Sequence, residues 1–235
     1  KEWIWLPNAM LRKGSADGFD AESLIAVVPD SRTFVLKVTV RDSLGKARIL
    51  PVKLSYRGCP RYENDWRFSI PKPSELNNPE MYSSNDNVLS CVAPHGAFAI
   101  TSSLADMYDF HPAYLWENCI ELPANGEISF YFSVSMGERE KAFSEAEAAK
   151  GNYEALIEKS FEWFRGETER IHANLPRLTS SCKALDTLYY RSLVTYILCR
   201  WENPDLCVSP YFSTGSINGA CMCSYLWDYC GGLML

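Results

Sequence analysis

Between residues 23 and 135 apolar and polar side chains alternate with a period of two, the mark of half-buried strands. Phe34, Leu36, Val38 and Val40 share one side of an extended segment whose other side carries Thr33, Lys37 and Thr39, and Asp42-Ser43-Leu44-Gly45 predicts a turn. A second strand runs through Ile49 to Tyr56. Trp66, Phe68 and Ile70 alternate with Arg67 and Ser69, Phe98 and Ile100 follow a Pro94-His95-Gly96 turn, and Ile128, Phe130, Phe132 and Val134 alternate with Ser129, Tyr131 and Ser133. Each apolar stripe leaves water only against a facing sheet, so these strands predict an antiparallel β-sandwich over 1–137, with 71–87 a long polar excursion.

At Gly137 the period changes. Glu138 to Leu175 holds 15 charged residues in 38, and Tyr153, Leu156, Ile157, Phe161, Phe164, Ile171 and Leu175 recur at helical spacing. This predicts a charged linker helix region over 138–175, solvated on one side and ended by Pro176. From Pro176 onward only 8 of 60 residues are charged. Ser181 to Trp201 is helical in length, follows Thr179 or Ser180 as candidate cap, and is apolar nearly all round. Sixty residues cannot bury such a helix by themselves, so 176–235 is expected to open a larger helical domain; the alternative is that the helix lies against the sandwich.

Composition narrows the classes. With 235 residues, 47% hydrophobic and 22% charged, the chain is not collagen, coiled coil or disordered. A net charge of -6 without a Lys/Arg run longer than two argues against a nucleic-acid or anionic-membrane partner, and no stretch approaches a membrane span. The absence of an initial Met and the apolar end Gly231 to Leu235 are expected of a piece of a longer chain. Nine scattered cysteines fit free thiols in a reducing compartment better than a disulfide scaffold, the one weak pointer to a cytoplasmic location. Cys221, Cys223 and Cys230 lack zinc-knuckle spacing and have no nearby histidine, so no metal and no cofactor is assigned. Asp106, Asp109 and His111 read as sandwich-loop residues, His95 as a turn residue, and His172 as a cation at a helix C-terminus.

The order of these parts resembles the front of the six-hairpin glycosidases, the group of trehalases, processing α-glucosidases and amylo-α-1,6-glucosidases. The residues that carry the likeness are the sandwich closing on Glu121-Leu122-Pro123-Ala124-Asn125-Gly126-Glu127, the charged helix, Tyr190-Arg191-Ser192-Leu193, Arg200-Trp201 and Ser224-Tyr225-Leu226-Trp227-Asp228. It spans the whole chain in layout, and its sharpest motif is only the pair Trp227-Asp228. The resemblance implies that 176–235 holds the first helices of an (α/α)6 barrel. That barrel is incomplete here, because twelve helices of about fifteen residues need on the order of 250 to 350 residues.

The implied activity is hydrolysis of α-linked glycosides or oligosaccharides by an inverting acid and base that lie deeper in the barrel, so no catalytic residue is assigned in this chain. The implied partners are a carbohydrate substrate and the remainder of the barrel, in the same polypeptide or another chain. A pyranose offers C–H bonds to an aromatic face and vicinal hydroxyls to a carboxylate, the roles implied for Trp227 and Asp228. Residues 209–219 would then form a loop on the barrel's active face, with Tyr211 and Asn218 reaching the sugar. The residues alone equally allow Trp227 as core and Asp228 as the N-cap of a helix starting at Tyr229. The alternative function, from another class, is a non-catalytic carbohydrate-binding or assembly module.

Overall fold

The computed structural model describes residues 1–56, 80–83, 88–93, 96–104, 107–110, 113–201 and 210–212. Its strands are β1 (Glu2–Trp5), β2 (Ala9–Ala16), β3 (Phe19–Val27), β4 (Thr33–Asp42), β5 (Arg48–Tyr56), β6 (Glu80–Ser83), β7 (Val88–Ala93), β8 (Gly96–Ser102), β9 (Met107–Phe110), β10 (Ala113–Leu122) and β11 (Glu127–Gly137). Helices α1 (Arg139–Ala149), α2 (Tyr153–Asn174) and α3 (Lys183–Cys199) follow, then the short β12 (Arg200–Trp201) and β13 (Tyr211–Phe212). The larger sheet has eight strands in the order β1-β2-β3-β4-β11-β8-β7-β6, the smaller three in the order β5-β10-β9. Every ladder among the described residues is antiparallel. The fold class is the expected one, a β-sandwich followed by a helical segment.

The core between the sheets is built from the predicted stripes. Val40, Phe98, Ile100, Leu122, Phe130, Phe132 and Val134 are buried together, with Phe34, Leu36 and Val38 of β4 and Leu50, Val52 and Ile120 of the small sheet packed against them. Thr33, Lys37 and Thr39 do lie on the opposite face of β4. That face is not simply solvated, because helices cover one end of it. Val35, Ala26, Ala9 and Val28 form a second cluster with Tyr153 and Ile157 of α2, while α1 buries Ala142, Ala146 and Ala149. Beneath the helices the hydroxyls of the sheet pair with one another: Thr33 with Ser135 at 2.8 Å, Thr101 with Ser133 at 2.6 Å, and the Tyr153 hydroxyl donates to Thr101 at 3.0 Å. Buried hydroxyls paired in this way avoid the penalty of an unsatisfied polar group.

Strands β1, β2 and the start of β3 extend the sandwich upstream of the alternating region. The link between β2 and β3 is Asp17-Gly18, with φ of 51° and 74°, the two positive angles that a tight right-twisted hairpin turn demands. A Cβ on Gly18 would also lie 2.4 Å from the Leu44 side chain. Gly18→Ala is therefore expected to lower unfolding free energy by roughly 2 kcal/mol in urea denaturation. Gly151→Ala, at φ 77° with nothing within 4 Å, should lose only about 1 kcal/mol. Equal losses would mean that Leu44 moves aside without consequence.

Gly151 also divides the charged region into two helices. The Lys150 N–H closes the last turn of α1 on the carbonyls of Ala146 and Glu147, Gly151 then turns the chain at positive φ so that the Asn152 N–H reaches the Ala149 carbonyl at 3.0 Å, and α2 begins afresh after Asn152. α2 stops at Asn174, two residues before Pro176, as the proline requires. α3 is shorter than expected at both ends. Neither Thr179 nor Ser180 caps it, since Cys182 occupies the N-cap position with no side-chain bond, and Asp186 instead reaches back to accept the Ser180 N–H at 2.9 Å. Arg200 and Trp201 leave the helix as an extended pair.

The chain forms two compact units, one with the described residues up to Phe164 and one with those from Arg165 onward.

Candidate functional site

Within the second unit, the predicted sugar contacts fall at and beyond its short ribbon. β12 pairs with β13 in the register Arg200↔Phe212 and Trp201↔Tyr211, so the backbone of Tyr211 stands opposite the residue that ends the α3 segment. Asn218, Trp227 and Asp228 lie outside the described residues, as do Cys221, Cys223, Cys230, His95, Asp106 and His111.

The ribbon's approach is fixed by ions. Glu167 accepts two bonds from Arg170, at 3.2 and 2.7 Å, and stands 3.6 Å from Arg200 at the start of β12. The Arg170 guanidinium outweighs partial burial and holds the Glu167 carboxyl below its usual range. Beside it His172 meets the edge of Tyr190 at 5.2 Å, and Tyr190 donates its hydroxyl to the Leu178 carbonyl at 3.1 Å. With Pro176, Arg177 and Leu193 these residues line a cavity of about 340 Å³. α3 leaves Leu185, Leu188 and Leu198 exposed at 48%, 63% and 55%. No described group of His, Cys, Asp and Glu residues is arranged to hold a metal ion, and no described helix is long and apolar enough to cross a membrane.

The first unit carries a polar concavity of about 520 Å³ on the helix-bearing face of the large sheet, at the end beyond α2. Its sides are cross-strand pairs: Lys13 with Glu22 at 2.9 Å, Arg41 with Glu127, and Ser15 donating to Asp20 at 2.6 Å. Cations and anions alternate there and neutralise each other, as expected of a sheet face that meets water. Its border toward α2 is Lys37, which donates to Glu154 at 2.6 Å, while Tyr131 donates to the same carboxylate and stacks on Tyr153 with centroids 5.5 Å apart. Lys37 and then Tyr131 lower the Glu154 carboxyl below its ordinary value, and Glu154 in turn raises the Lys37 amine. This cluster fastens α2 to the sheet. The strand pattern places Lys37 and Tyr131 opposite the core stripes but carries no signal for their convergence on Glu154, 117 residues from Lys37 along the chain.

No protein-family profile matches the sequence, and no curated protein matches significantly. Among solved structures, a human-microbiome protein described as a kojibiose phosphorylase superposes on 82% of this chain with a TM-score of 0.59 at 10% identity. A bacterial glucoamylase complexed with acarbose aligns over 81% of this chain with a TM-score of 0.46 at 14% identity. The chain spans 27% and 30% of those two proteins. A sandwich followed by helices is thus a fold that this chain shares with the protein described as a kojibiose phosphorylase.

Proposed function

We propose that this chain is the N-terminal part of an enzyme that cleaves α-linked glycosides or oligosaccharides. The observation that carries the reading is the superposition of sandwich and helices on 82% of this chain, against 27% of a kojibiose phosphorylase. The exposed leucines of α3 support it, because an apolar helix left open to water calls for covering helices. In this reading 1–137 is the sandwich domain, 138–175 the linker, and 176–235 the opening of an (α/α)6 barrel completed by the same polypeptide or by another chain. An inverting enzyme needs a carboxylic acid that protonates the leaving oxygen and a carboxylate that activates water, about 6.5 to 9.5 Å apart. Both would lie beyond this chain. Trp227 and Asp228 would hold the sugar ring, with Tyr211 and Asn218 at its rim.

The superposed protein's description favours a second chemistry at the same kind of site, with a phosphate oxygen replacing water as the nucleophile. Incubating the complete protein with α-linked disaccharides and maltooligosaccharides, with and without inorganic phosphate, separates the two. Free sugar released at the same rate in both is expected for hydrolysis, whereas a sugar 1-phosphate formed only with phosphate marks phosphorolysis. If no α-glycoside is cleaved in either condition, the enzyme reading is wrong and the carbohydrate-binding module takes its place.

A further inference from the structure

The edge strand β1 exposes two tryptophans. Trp3 and Trp5 are 57% and 75% accessible, although tryptophan is among the most thoroughly buried residue types on average. Two residues apart in a strand, they point to the same face, with Cα atoms roughly 6.5 to 7 Å apart. That face is the one that carries the core stripes in β4, and among the described residues none of β1 or β2 packs into the inter-sheet core. The indoles therefore extend that face of the large sheet beyond its described core. Trp3 is held from the next strand, where Arg12 is its register partner and sets its guanidinium 5.0 Å from the ring centre.

Area decides what such a patch can take. At these exposures the two indoles present roughly 300 Å² of aromatic surface, using about 250 Å² for a whole tryptophan. A stable protein partner needs about 800 Å² on each side, so the patch is too small for a subunit. It is well matched to sugar rings, whose axial C–H bonds pack on an aromatic face while their hydroxyls stay in water. We propose that Trp3 and Trp5 form an aromatic platform for a chain of pyranose units. The ligand class rests on the carbohydrate-cleaving reading given above.

The test uses the complete protein and maltoheptaose or dextran as probes. Exposed tryptophans are oxidised with N-bromosuccinimide, with and without saturating oligosaccharide, and the modified residues are identified by mass spectrometry. Protection of Trp3 and Trp5 by at least threefold in rate is the expected result; oxidation unaffected by either sugar overturns the platform. In affinity electrophoresis through either glucan, Trp3→Ala/Trp5→Ala is expected to weaken retardation tenfold or more, while Trp3→Phe/Trp5→Phe keeps most of it. Retardation of the Ala variant equal to the unaltered protein also overturns the proposal. Cleavage of short α-glucosides without protection at these tryptophans refutes the platform alone. Protection without any cleavage refutes the enzyme reading alone.

Discussion

Asp228→Asn in the complete protein is expected to lower kcat/KM for an α-linked oligosaccharide on the order of 100-fold or more, with little change in Tm. The magnitude follows from the chemistry assigned to the residue. A carboxylate that binds two vicinal hydroxyls makes two charge-assisted bonds, each worth about 1.5 to 3 kcal/mol, and every 1.4 kcal/mol is tenfold. Asn keeps one acceptor oxygen but turns a donor toward the second hydroxyl. Trp227→Ala should act mainly through KM, since packing against C–H bonds is felt in ground state and transition state alike. The competing role predicts the opposite pattern. If Asp228 only caps a helix, Asn caps nearly as well and leaves both kcat/KM and Tm unchanged, whereas Asp228→Ala lowers stability by about 1 kcal/mol with kcat/KM still unchanged. Steady-state kinetics and thermal melts of Asp228→Asn and Asp228→Ala distinguish these outcomes.

Asp42→Asn is expected to lower Tm by on the order of 10 °C at neutral pH, the largest stability effect foreseen among the described residues. Asp42 is 3% exposed and its carboxylate accepts the backbone N–H groups of Lys46 at 2.9 Å, Asn125 at 3.1 Å and Leu44 at 3.3 Å, together with the Arg48 guanidinium. Arg48 in turn donates to the carbonyls of Asp17 and Gly18 and lies over Phe19. One side chain thus ties together the turn after β4, the turn before β11 and the first hairpin. An amide cannot accept from all these donors, and it leaves the Arg48 charge without its counterion.

The pH dependence supplies a second check. Burial by itself would raise the Asp42 carboxyl, but the bonds from Asn125, Lys46, Arg48 and Leu44 outweigh it and hold the group well below the usual carboxylate range. A folded pKa below the unfolded one means that the stabilisation is complete above about pH 4 and is lost as pH falls from there toward the depressed value. The Tm gap between the protein and Asp42→Asn should therefore stay constant from pH 7 to about 5 and narrow between pH 4 and 2. A gap that stays the same down to pH 2 would show that the carboxylate's charge contributes nothing.

Asp42 also shows how much the sequence revealed. Asp42-Ser43-Leu44-Gly45 is legible as a turn because the residues that make it are adjacent. Its anchoring to Asn125 across 83 residues is not legible, because no local pattern reports which distant N–H groups a carboxylate will meet. The same division runs through the elements. Strand faces from Thr33 to Val40 and from Ile128 to Val134 could be read, since a period of two is a property of the chain itself. Strands β1 and β2 precede the alternating region, although Asp17-Gly18 is a hairpin signal in its own right. The charged region 138–175 reads as one amphipathic helix, whereas Gly151, at positive φ, stands between two. The proposed sugar contacts are local features of the chain, Trp227-Asp228 as a motif of the resemblance and Tyr211 with Asn218 as members of a polar, aromatic loop, and all but Tyr211 lie outside the described residues. The Lys37–Glu154–Tyr131 cluster and the exposed aromatic pair of Trp3 and Trp5 could not be found in that way.

What the sequence determined alone is the succession of parts, an antiparallel sandwich, a charged linker and an apolar helical segment too greasy to stand by itself. Periodicity and composition act within one stretch of chain, and burial of each stripe follows from its own amino acids. Tertiary structure decided which sheet face the helices cover, which carboxylate pins three loops, and which tryptophans stand beyond the described core. Those outcomes depend on strand order and on contacts made between residues as many as 152 positions apart, where the free energy belongs to the assembled surface and no single segment carries it.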